Sequence, residues 1–247
     1  MTIRNLPTTI GQPPFDRADM VAHLNEFADV YKNRPIKDNQ GGQLSAQLFY
    51  SWYVAKKMQP SVIIESGTYK GQGTWAFEQA CPKAKIICLD PFPKEVYKSA
   101  TAEYVRGDFN QVDWQYVPKE NCLVFFDDHQ NALARMVSCK KLGFKYVMFE
   151  DNYPEGQGDC MSLKKAFNKN AKHEIIPTVL ASEWLKNIVK TYYEMPPIFD
   201  LPTNRWGLPW ETYASNEPLL KAVQEKYQQV YYEEMSQYTW INYVELK

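Results

Sequence analysis

The chain has 247 residues, 45% of them hydrophobic, which is enough to bury the core of one sizeable α/β domain. Its 28 basic and 29 acidic residues give a formal net charge of −1, which argues against a nucleic-acid-binding protein and against electrostatic docking on a membrane. The five cysteines have no CxxC spacing and the N-terminus has no signal-peptide pattern, so we expect free thiols and a cytoplasmic protein.

The first sixty residues predict helices that precede the main body of the domain. Apolar residues at helical spacing predict one helix over residues 16–32, and a second over residues 43–59 that ends before Pro60. We expect residues 1–59 to form an arm and helices packed on a core built by residues 60–247, the whole being a single domain.

Short apolar runs then alternate with helical stretches, a pattern typical of a parallel sheet covered by helices on both faces. In the tail, residues 218–232 predict a helix and residues 240–246 a last strand. The five earlier strands are predicted at Ser61–Ile64, Lys85–Leu89, Tyr104–Val105, Cys122–Phe126 and Lys145–Phe149.

A glycine-rich loop with the sequence ESGTYKGQG follows the first of these strands. Glu65 precedes Gly67, which allows a sharp turn, and Gly71 and Gly73 allow close backbone approach. Asp90 ends the next strand. The loop has the form E-x-G-x-x-x-G, whereas a dinucleotide-binding loop usually has GxGxxG.

This ordered set resembles the first motifs of class I S-adenosylmethionine-dependent methyltransferases. The resemblance implies a Rossmann-like, doubly wound, mostly parallel seven-stranded sheet with an N-terminal helical extension. It also implies S-adenosylmethionine as cofactor and S-adenosylhomocysteine as product. Asp90 would accept hydrogen bonds from both ribose hydroxyls, and Asp108 would meet the adenine. The other cofactor-binding residues implied are Glu65, Gly67, Thr68, Tyr69, Gly71, Gly73 and Asp127.

Two acidic segments follow neighbouring strands, Asp127-Asp128-His129 and Glu150-Asp151-Asn152. Because the carboxyl ends of parallel strands meet at one edge of a sheet, we expect the two segments to converge there. Four clustered carboxylates repel each other unless a cation compensates them, and Mg²⁺ is the simplest hard divalent ion for oxygen ligands. The alternative is that each acidic pair only begins a helix or lies in solvent.

The two acidic segments resemble those of two methyltransferase groups. In catechol-type O-methyltransferases the pattern corresponds to metal ligands Asp128, Asp151 and Asn152. In sugar O-methyltransferases of the macrocin and mycinamicin type, and in the cephalosporin-hydroxylase-like family, it corresponds to Asp127 or Asp128 with Glu150 and Asp151. The sugar enzymes carry a histidine base just beyond the strand-four aspartates, but with a short spacer that is missing before His129. The choice between Asp127 and Asp128 therefore stays open.

Together these features predict a Mg²⁺-assisted O-methyltransferase of a sugar hydroxyl, for example a deoxyhexose such as rhamnose in a glycan or glycosylated metabolite. His129 and Asp128 are the predicted catalytic residues, the imidazole taking the hydroxyl proton. A small phenol or catechol is the alternative acceptor. An NAD-dependent oxidoreductase and a non-catalytic nucleotide-binding protein are alternatives from other classes. A homo-oligomeric state is left open.

Overall fold

The computed structural model describes residues 6–168, 178–232, 234 and 238–247. In this part of the chain eight strands form one sheet and six α-helices surround it. The strands are β1 (Thr9–Ile10), β2 (Val62–Ser66), β3 (Lys85–Leu89), β4 (Glu103–Val105), β5 (Cys122–Phe126), β6 (Tyr146–Phe149), β7 (Val189–Glu194) and β8 (Asn242–Leu246). The helices are α1 (Arg17–Lys32), α2 (Ser45–Met58), α3 (Gln72–Ala80), α4 (Ala132–Leu142), α5 (Leu163–Phe167) and α6 (Thr178–Ile188).

The strand order is β1-β7-β8-β6-β5-β2-β3-β4. Strands β2 to β6 are mutually parallel, while β8 runs antiparallel to both β6 and β7. The chain builds outward from β2 to β4 and then returns to the other side of β2 with β5. This reversal opens a crevice at the carboxyl ends of β2 and β5, where Rossmann-like sheets bind ligands. The predicted mostly parallel, Rossmann-like sheet is confirmed.

The prediction of seven strands was one short. Part of the N-terminal arm adds an eighth strand, because Thr9 and Ile10 pair antiparallel with the outer edge of β7. The backbone N–H of Glu194 also donates to the carbonyl of Thr8 at 2.9 Å. The arm thus covers an edge whose N–H and C=O groups would otherwise need water.

Two cores cover the two faces of the sheet. Ile63 and Phe125 point into a core shared with α1, α2, α3 and the C-terminal segment. Ile64 and Phe126, one residue further along, point into a core shared with α4, α5 and α6. Since both faces are buried, the strands are apolar throughout instead of alternating. All five cysteines are free thiols. None of the helices in the described ranges is long and apolar enough to cross a bilayer.

Both N-terminal helices and the last strand form where they were predicted, but the helix over residues 218–232 was wrong. The structure has only one 3₁₀ turn there, Glu225–Tyr227. Tertiary contacts replace the helix: Tyr227 and Tyr231 donate hydroxyl hydrogen bonds to Asn25 Oδ1 at 2.8 Å and to the carbonyl of Leu24 at 2.7 Å. These contacts hold the tail against α1.

Candidate functional site

The loop after β2 turns where the ends of three strands meet. Gly67 has φ +93°, and its N–H donates to the carbonyl of Leu89 at 2.8 Å. A Cβ at this position would lie 2.0 Å from the backbone oxygen of Asp127. Gly67 is therefore required both by its left-handed backbone and by the close approach of β5.

The other two loop glycines are held in place by protein atoms. A Cβ at Gly71, also at φ +93°, would lie 2.3 Å from the backbone oxygen of Tyr97. A Cβ at Gly73 would lie 2.2 Å from Glu65 Oε1. Thr68, in the same loop, is buried, and its hydroxyl points at the carbonyl of Leu89 at 3.4 Å. Of the predicted cofactor loop, the structure thus packs Thr68, Gly71 and Gly73 against the protein itself.

Glu65 is a fully buried carboxyl group beneath this loop. The hydroxyl of Thr74 donates to Oε2 at 2.5 Å, and Oε1 has no hydrogen-bond partner among the described residues. Burial raises the pKa of Glu65 to about 8. The protonated form is therefore populated near neutral pH unless a cation approaches.

The N-terminus of α3 is covered by the segment that joins α1 to α2. Gln72, at the start of α3, is buried, and its amide accepts from the N–H of Ile36 at 3.3 Å and donates to the carbonyl of Ile36 at 3.2 Å. A dinucleotide fold places its pyrophosphate at this helix N-terminus. Here the buried side chain of Gln72 and the backbone of Ile36 pack beside that position.

Asp90 marks a first cavity, of about 340 Å³, at the end of β3. Its Oδ2 accepts from the N–H of Tyr69 at 3.0 Å and its Oδ1 from the N–H of Phe92 at 2.8 Å. Each oxygen keeps a lone pair for a ligand hydroxyl. The ring of Phe92 is 76% exposed at the cavity wall, available to a planar group. The cavity is lined by Gly41, Gly42, Gly67, Tyr69, Asp90, Pro91, Phe92, Lys94, Asp127, Asp128, His129 and Gln130.

The two acidic segments converge as predicted. β5 and β6 pair in parallel with Phe126 opposite Phe149, so the residues that follow emerge side by side. One ligand atom each from Asp127, His129 and Asp151 lies within 4.8 Å of the others. We call these three residues the acidic cluster. The amide of Gln43 donates to Asp127 Oδ2 at 3.2 Å and holds this carboxylate from α2's side of the cleft.

The electrostatics of the acidic cluster favour a bound cation. Burial raises the pKa of Asp127 and of the adjacent Glu150 well above the usual range, and the negative charge of Asp151 raises both further. The Oδ2 atom of Asp151 is buried and has no hydrogen bond among the described residues, its near polar neighbour being Nδ1 of His129 at 3.2 Å. Glu150 Oε1 accepts from the hydroxyl of Thr239 at 2.9 Å. Buried carboxylate oxygens that lie close together are the ligands that a hard divalent ion prefers, and such an ion would offset their mutual repulsion.

His129 stands at the exposed rim of the acidic cluster. Its Nδ1 lies 3.2 Å from Asp151 Oδ2 and 3.2 Å from Asp159 Oδ1. Burial lowers the pKa of His129, but the carboxylates of Asp151 and Asp159 outweigh it, so the pKa is raised above 6.5. The backbone of His129 has φ +52°, which turns the chain sharply after β5.

Three of the predicted site residues point elsewhere. Asp128 Oδ2 accepts from Arg135 Nε at 3.0 Å and from Ser66 Oγ at 2.7 Å. Asp108 caps a 3₁₀ helix and forms a two-pronged pair with the same guanidinium. The amide of Asn152 is buried, donating to the hydroxyl of Tyr192 at 2.8 Å and accepting from the N–H of Lys164 at 3.0 Å. None of these side chains joins the acidic cluster.

A second cavity, of about 410 Å³, lies on the other side of the acidic cluster. It shares Gly41, Gly42, Asp127 and His129 with the first, so the two cavities meet above the ends of β2 and β5. Its wall is mostly polar. The lining residues are Lys37, Asp38, Asn39, Gln40, Gly41, Gly42, Leu44, Gln47, Asp127, His129, Glu150, Asp151, Tyr153, Arg205 and Glu234.

Sequence reasoning missed much of this wall, in particular the segment from Lys37 to Gln43. Its Asn and Gly-Gly indicate a loop, and nothing in them indicates a ligand. Arg135 was also missed, although it lies seven residues after Asp128 on the first turns of α4, where it meets the carboxylate. Glu234 and Arg205 come from the tail and reach the site only through tertiary packing.

No family model and no curated protein matches the chain. Among solved structures it is similar to the methyltransferase PaMTH1 of Podospora anserina bound to S-adenosylhomocysteine (16% identity, 70% of this chain and 85% of that one, TM-score 0.41). It is also similar to the O-methyltransferase TomG of Streptomyces achromogenes in complex with S-adenosylmethionine (12%, 70% and 82%, 0.42) and to a Bacillus cereus O-methyltransferase in complex with S-adenosylhomocysteine (15%, 74% and 86%, 0.40). Identities and TM-scores this low assign no family and no function.

Proposed function

We propose that the protein is an S-adenosylmethionine-dependent O-methyltransferase that acts on a hydroxyl of a sugar. One observation carries the proposal: two cavities meet at Asp127 and His129, and each has the chemistry of one reactant. A methyl donor in the first cavity and an acceptor in the second would face each other across these residues. Positioning of that kind can lower the barrier to a transfer between two bound groups by about 7–11 kcal/mol.

The first cavity fits S-adenosylmethionine. Asp90 offers two carboxylate oxygens to a ribose diol, Phe92 offers a ring face to adenine, and Gly67 leaves room beside the loop. The carboxyl groups of Asp90 and Asp127 on its wall favour the positive charge of a sulfonium and an ammonium group. The loop after β2 lacks the GxGxxG pattern of a dinucleotide site, and Gln72 at the start of α3 is buried against Ile36, which both argue against NAD.

The acidic cluster supplies the acid–base side of the reaction. Asp127 and Asp151, with Glu150 behind them, would hold a divalent cation, which polarises a hydroxyl that is bound to it. His129 is the base: Asp159 fixes its Nδ1, and the imidazole at the mouth of the second cavity takes the hydroxyl proton. The in-line transfer then needs only that the hydroxyl oxygen face the sulfonium methyl.

The polar wall of the second cavity supports a sugar as acceptor. Asn39, Gln40, Gln47 and the charged groups around them offer many donors and acceptors, which suits a ring with several hydroxyls. Among its described lining residues, Tyr153 is the one Phe, Tyr or Trp side chain. A catechol or other phenol would need a more apolar slot, and the amide of Asn152, which would complete a catechol-type metal site, is already engaged.

Calorimetric titration with S-adenosylhomocysteine tests the cofactor. We expect saturable binding that Asp90→Ala weakens at least about tenfold, the cost of losing charged hydrogen bonds to the ribose. Asp29→Ala, which removes an exposed carboxylate on α1, is the matched control and leaves the affinity unchanged. If the wild-type protein does not bind S-adenosylhomocysteine with or without Mg²⁺, the proposed function is wrong.

Asp151→Asn tests the acidic cluster. Transfer of labelled methyl from S-adenosylmethionine to a panel of hexosides should fall roughly 100-fold or more, while affinity for S-adenosylhomocysteine stays within about threefold. Chelation of divalent cations should lower the wild-type activity by as much as the substitution does. Activity that survives both the substitution and the chelator would leave the cluster with a structural role alone.

A further inference from the structure

Arg205 projects into the second cavity from a tightly built turn. The buried side chain of Asn204 accepts from the N–H of Trp206 at 3.0 Å and from the N–H of Leu208 at 3.2 Å. The N–H of Asn204 in turn donates to the carbonyl of Leu208 at 2.9 Å. The turn fixes the backbone of Arg205, so its direction is set before any ligand arrives.

The guanidinium of Arg205 lies beside two rings that contact each other. Its Nη1 donates to the hydroxyl of Tyr153 at 3.1 Å, and its carbon lies 5.7 Å from the ring centroids of both Tyr153 and Trp206. Trp206 is itself stacked on the buried Trp240, with centroids 6.0 Å apart. The hydrogen bond and the ring contacts orient this exposed side chain and use one of its five N–H donors, so four are left for a ligand.

No carboxylate within the described residues lies close enough to pair with Arg205. Lys37, another basic residue of the cavity, donates its ammonium to the carbonyl of Lys32 at 2.6 Å, and His129 lies beside the carboxylates of Asp151 and Asp159. Glu234, on the same wall, accepts from Tyr31 and from the N–H of Ser45. Among the described residues that line the cavity, Arg205 is therefore the one guanidinium, and no carboxylate pairs with it.

We propose that the acceptor sugar carries an anionic group, a carboxylate or a phosphate, which Arg205 binds with two parallel hydrogen bonds. A planar guanidinium matches a pair of anionic oxygens better than it matches single hydroxyls. Arg205 lines the same cavity as the acidic cluster, so one bound acceptor can contact both the guanidinium and the cluster. The inference rests on the proposed function for the identity of the acceptor, and it makes Arg205 the specificity-determining residue.

The test measures binding without methyl transfer, through the fluorescence of Trp206 beside the guanidinium. The wild-type protein is titrated with D-glucuronate, with glucose 6-phosphate and with D-glucose, in the presence of S-adenosylhomocysteine and Mg²⁺. Arg205→Met removes the charge, and Arg205→Lys keeps the charge but lacks the planar guanidinium that makes two parallel hydrogen bonds. Arg106→Met is a matched control, since Arg106 is exposed and lines neither cavity. Trp206→Phe identifies the part of the signal that comes from this ring.

We expect at least one of the two anionic probes to bind about tenfold or more tightly than glucose, the effect of a charged hydrogen-bonded pair. Arg205→Met should abolish that preference, Arg205→Lys should reduce it, and Arg106→Met should preserve it. Carboxylate is distinguished from phosphate by which probe binds more tightly. Equal binding of all three probes, or a preference that survives in Arg205→Met, overturns the inference. Failure to bind S-adenosylhomocysteine in calorimetry would instead count against the proposed function.

Discussion

Replacing Glu65 by glutamine removes a titrating group from the centre of the fold without changing its shape. The carboxyl group is fully buried, accepts hydrogen bonds at Oε2 from Thr74 and from the thiol of Cys88, and has no partner for Oε1 in the described residues. The amide of glutamine can occupy the same space without ionising. The difference between wild type and Glu65→Gln therefore isolates the free energy of ionising this one group.

The expected pH dependence follows from the raised pKa. In the unfolded chain Glu65 titrates near 4.5 and in the folded protein at about 8, so between these values the folded state holds a proton that the unfolded state has lost. The free energy of unfolding of the wild type consequently falls as the pH rises from 4.5 to 8, by about 5 kcal/mol in total. Between pH 6.0 and 7.5 the free energy of unfolding of the wild type falls by about 2 kcal/mol from this group. Glu65→Gln lacks this decrease because its amide does not ionise.

Urea unfolding of both proteins at pH 6.0, 6.5, 7.0 and 7.5, without ligand, measures this difference. The free energy of unfolding of Glu65→Gln minus that of the wild type should rise as the pH increases from 6.0 to 7.5. The m-values of the two proteins should stay equal. Asp127 and Glu150 titrate in both proteins and largely cancel. Glu120→Gln, at an exposed carboxyl group, is the control and should show no such rise. A constant difference between Glu65→Gln and wild type over the whole range would refute the buried ionisation.

Two further substitutions test packing at the ends of the strands, both by urea unfolding. Gly67→Ala should cost about 3 kcal/mol or more, because its Cβ would lie 2.0 Å from a backbone oxygen; Gly156→Ala, at φ +79° with no atom within 4 Å, should cost only about 1 kcal/mol. Equal costs would contradict the clash. Lys164→Met should cost about 3–5 kcal/mol, because it leaves the buried Glu194 carboxylate, 2.6 Å from the ammonium, without its partner. Adding Glu194→Gln to this variant should recover much of the loss, and a failure to recover would mean that the packing of Lys164 dominates.

Much of the fold could be predicted because it depends on local patterns. The buried strands are continuous apolar runs, and the helices α1 and α2 have apolar residues at helical spacing. Each of these elements can therefore be predicted from its own residues. The parallel order follows from the alternation of strand and helix. The antiparallel end of the sheet could not be predicted. β1 is two residues long, and its pairing with β7 joins segments about 180 residues apart, which leaves no local pattern.

The site divides in the same way. Asp90 and the two acidic segments lie at strand ends, a position that the strand prediction already determines. The second cavity could not be foreseen, because its wall combines the loop before α2 with Arg205 and Glu234 from the tail. Irregular segments such as these are positioned by tertiary contacts alone, like that of Tyr231 with the carbonyl of Leu24.

The pleat of β5 favours Asp127 over Asp128 as the proposed cation ligand, a choice that the sequence leaves open. Successive residues of a strand point to opposite faces, and Phe125 and Phe126 already divide between the two cores. Continued by two residues, the alternation sends Asp127 toward the face of α2, where Gln43 holds it in the cleft. It sends Asp128 toward the face of α4, where Arg135 neutralises it. We therefore expect Asp127→Asn to weaken cation binding, because the Asp127 carboxylate lies in the acidic cluster with Asp151. We expect Asp128→Asn mainly to lower the free energy of unfolding, because Asp128 pairs with Arg135.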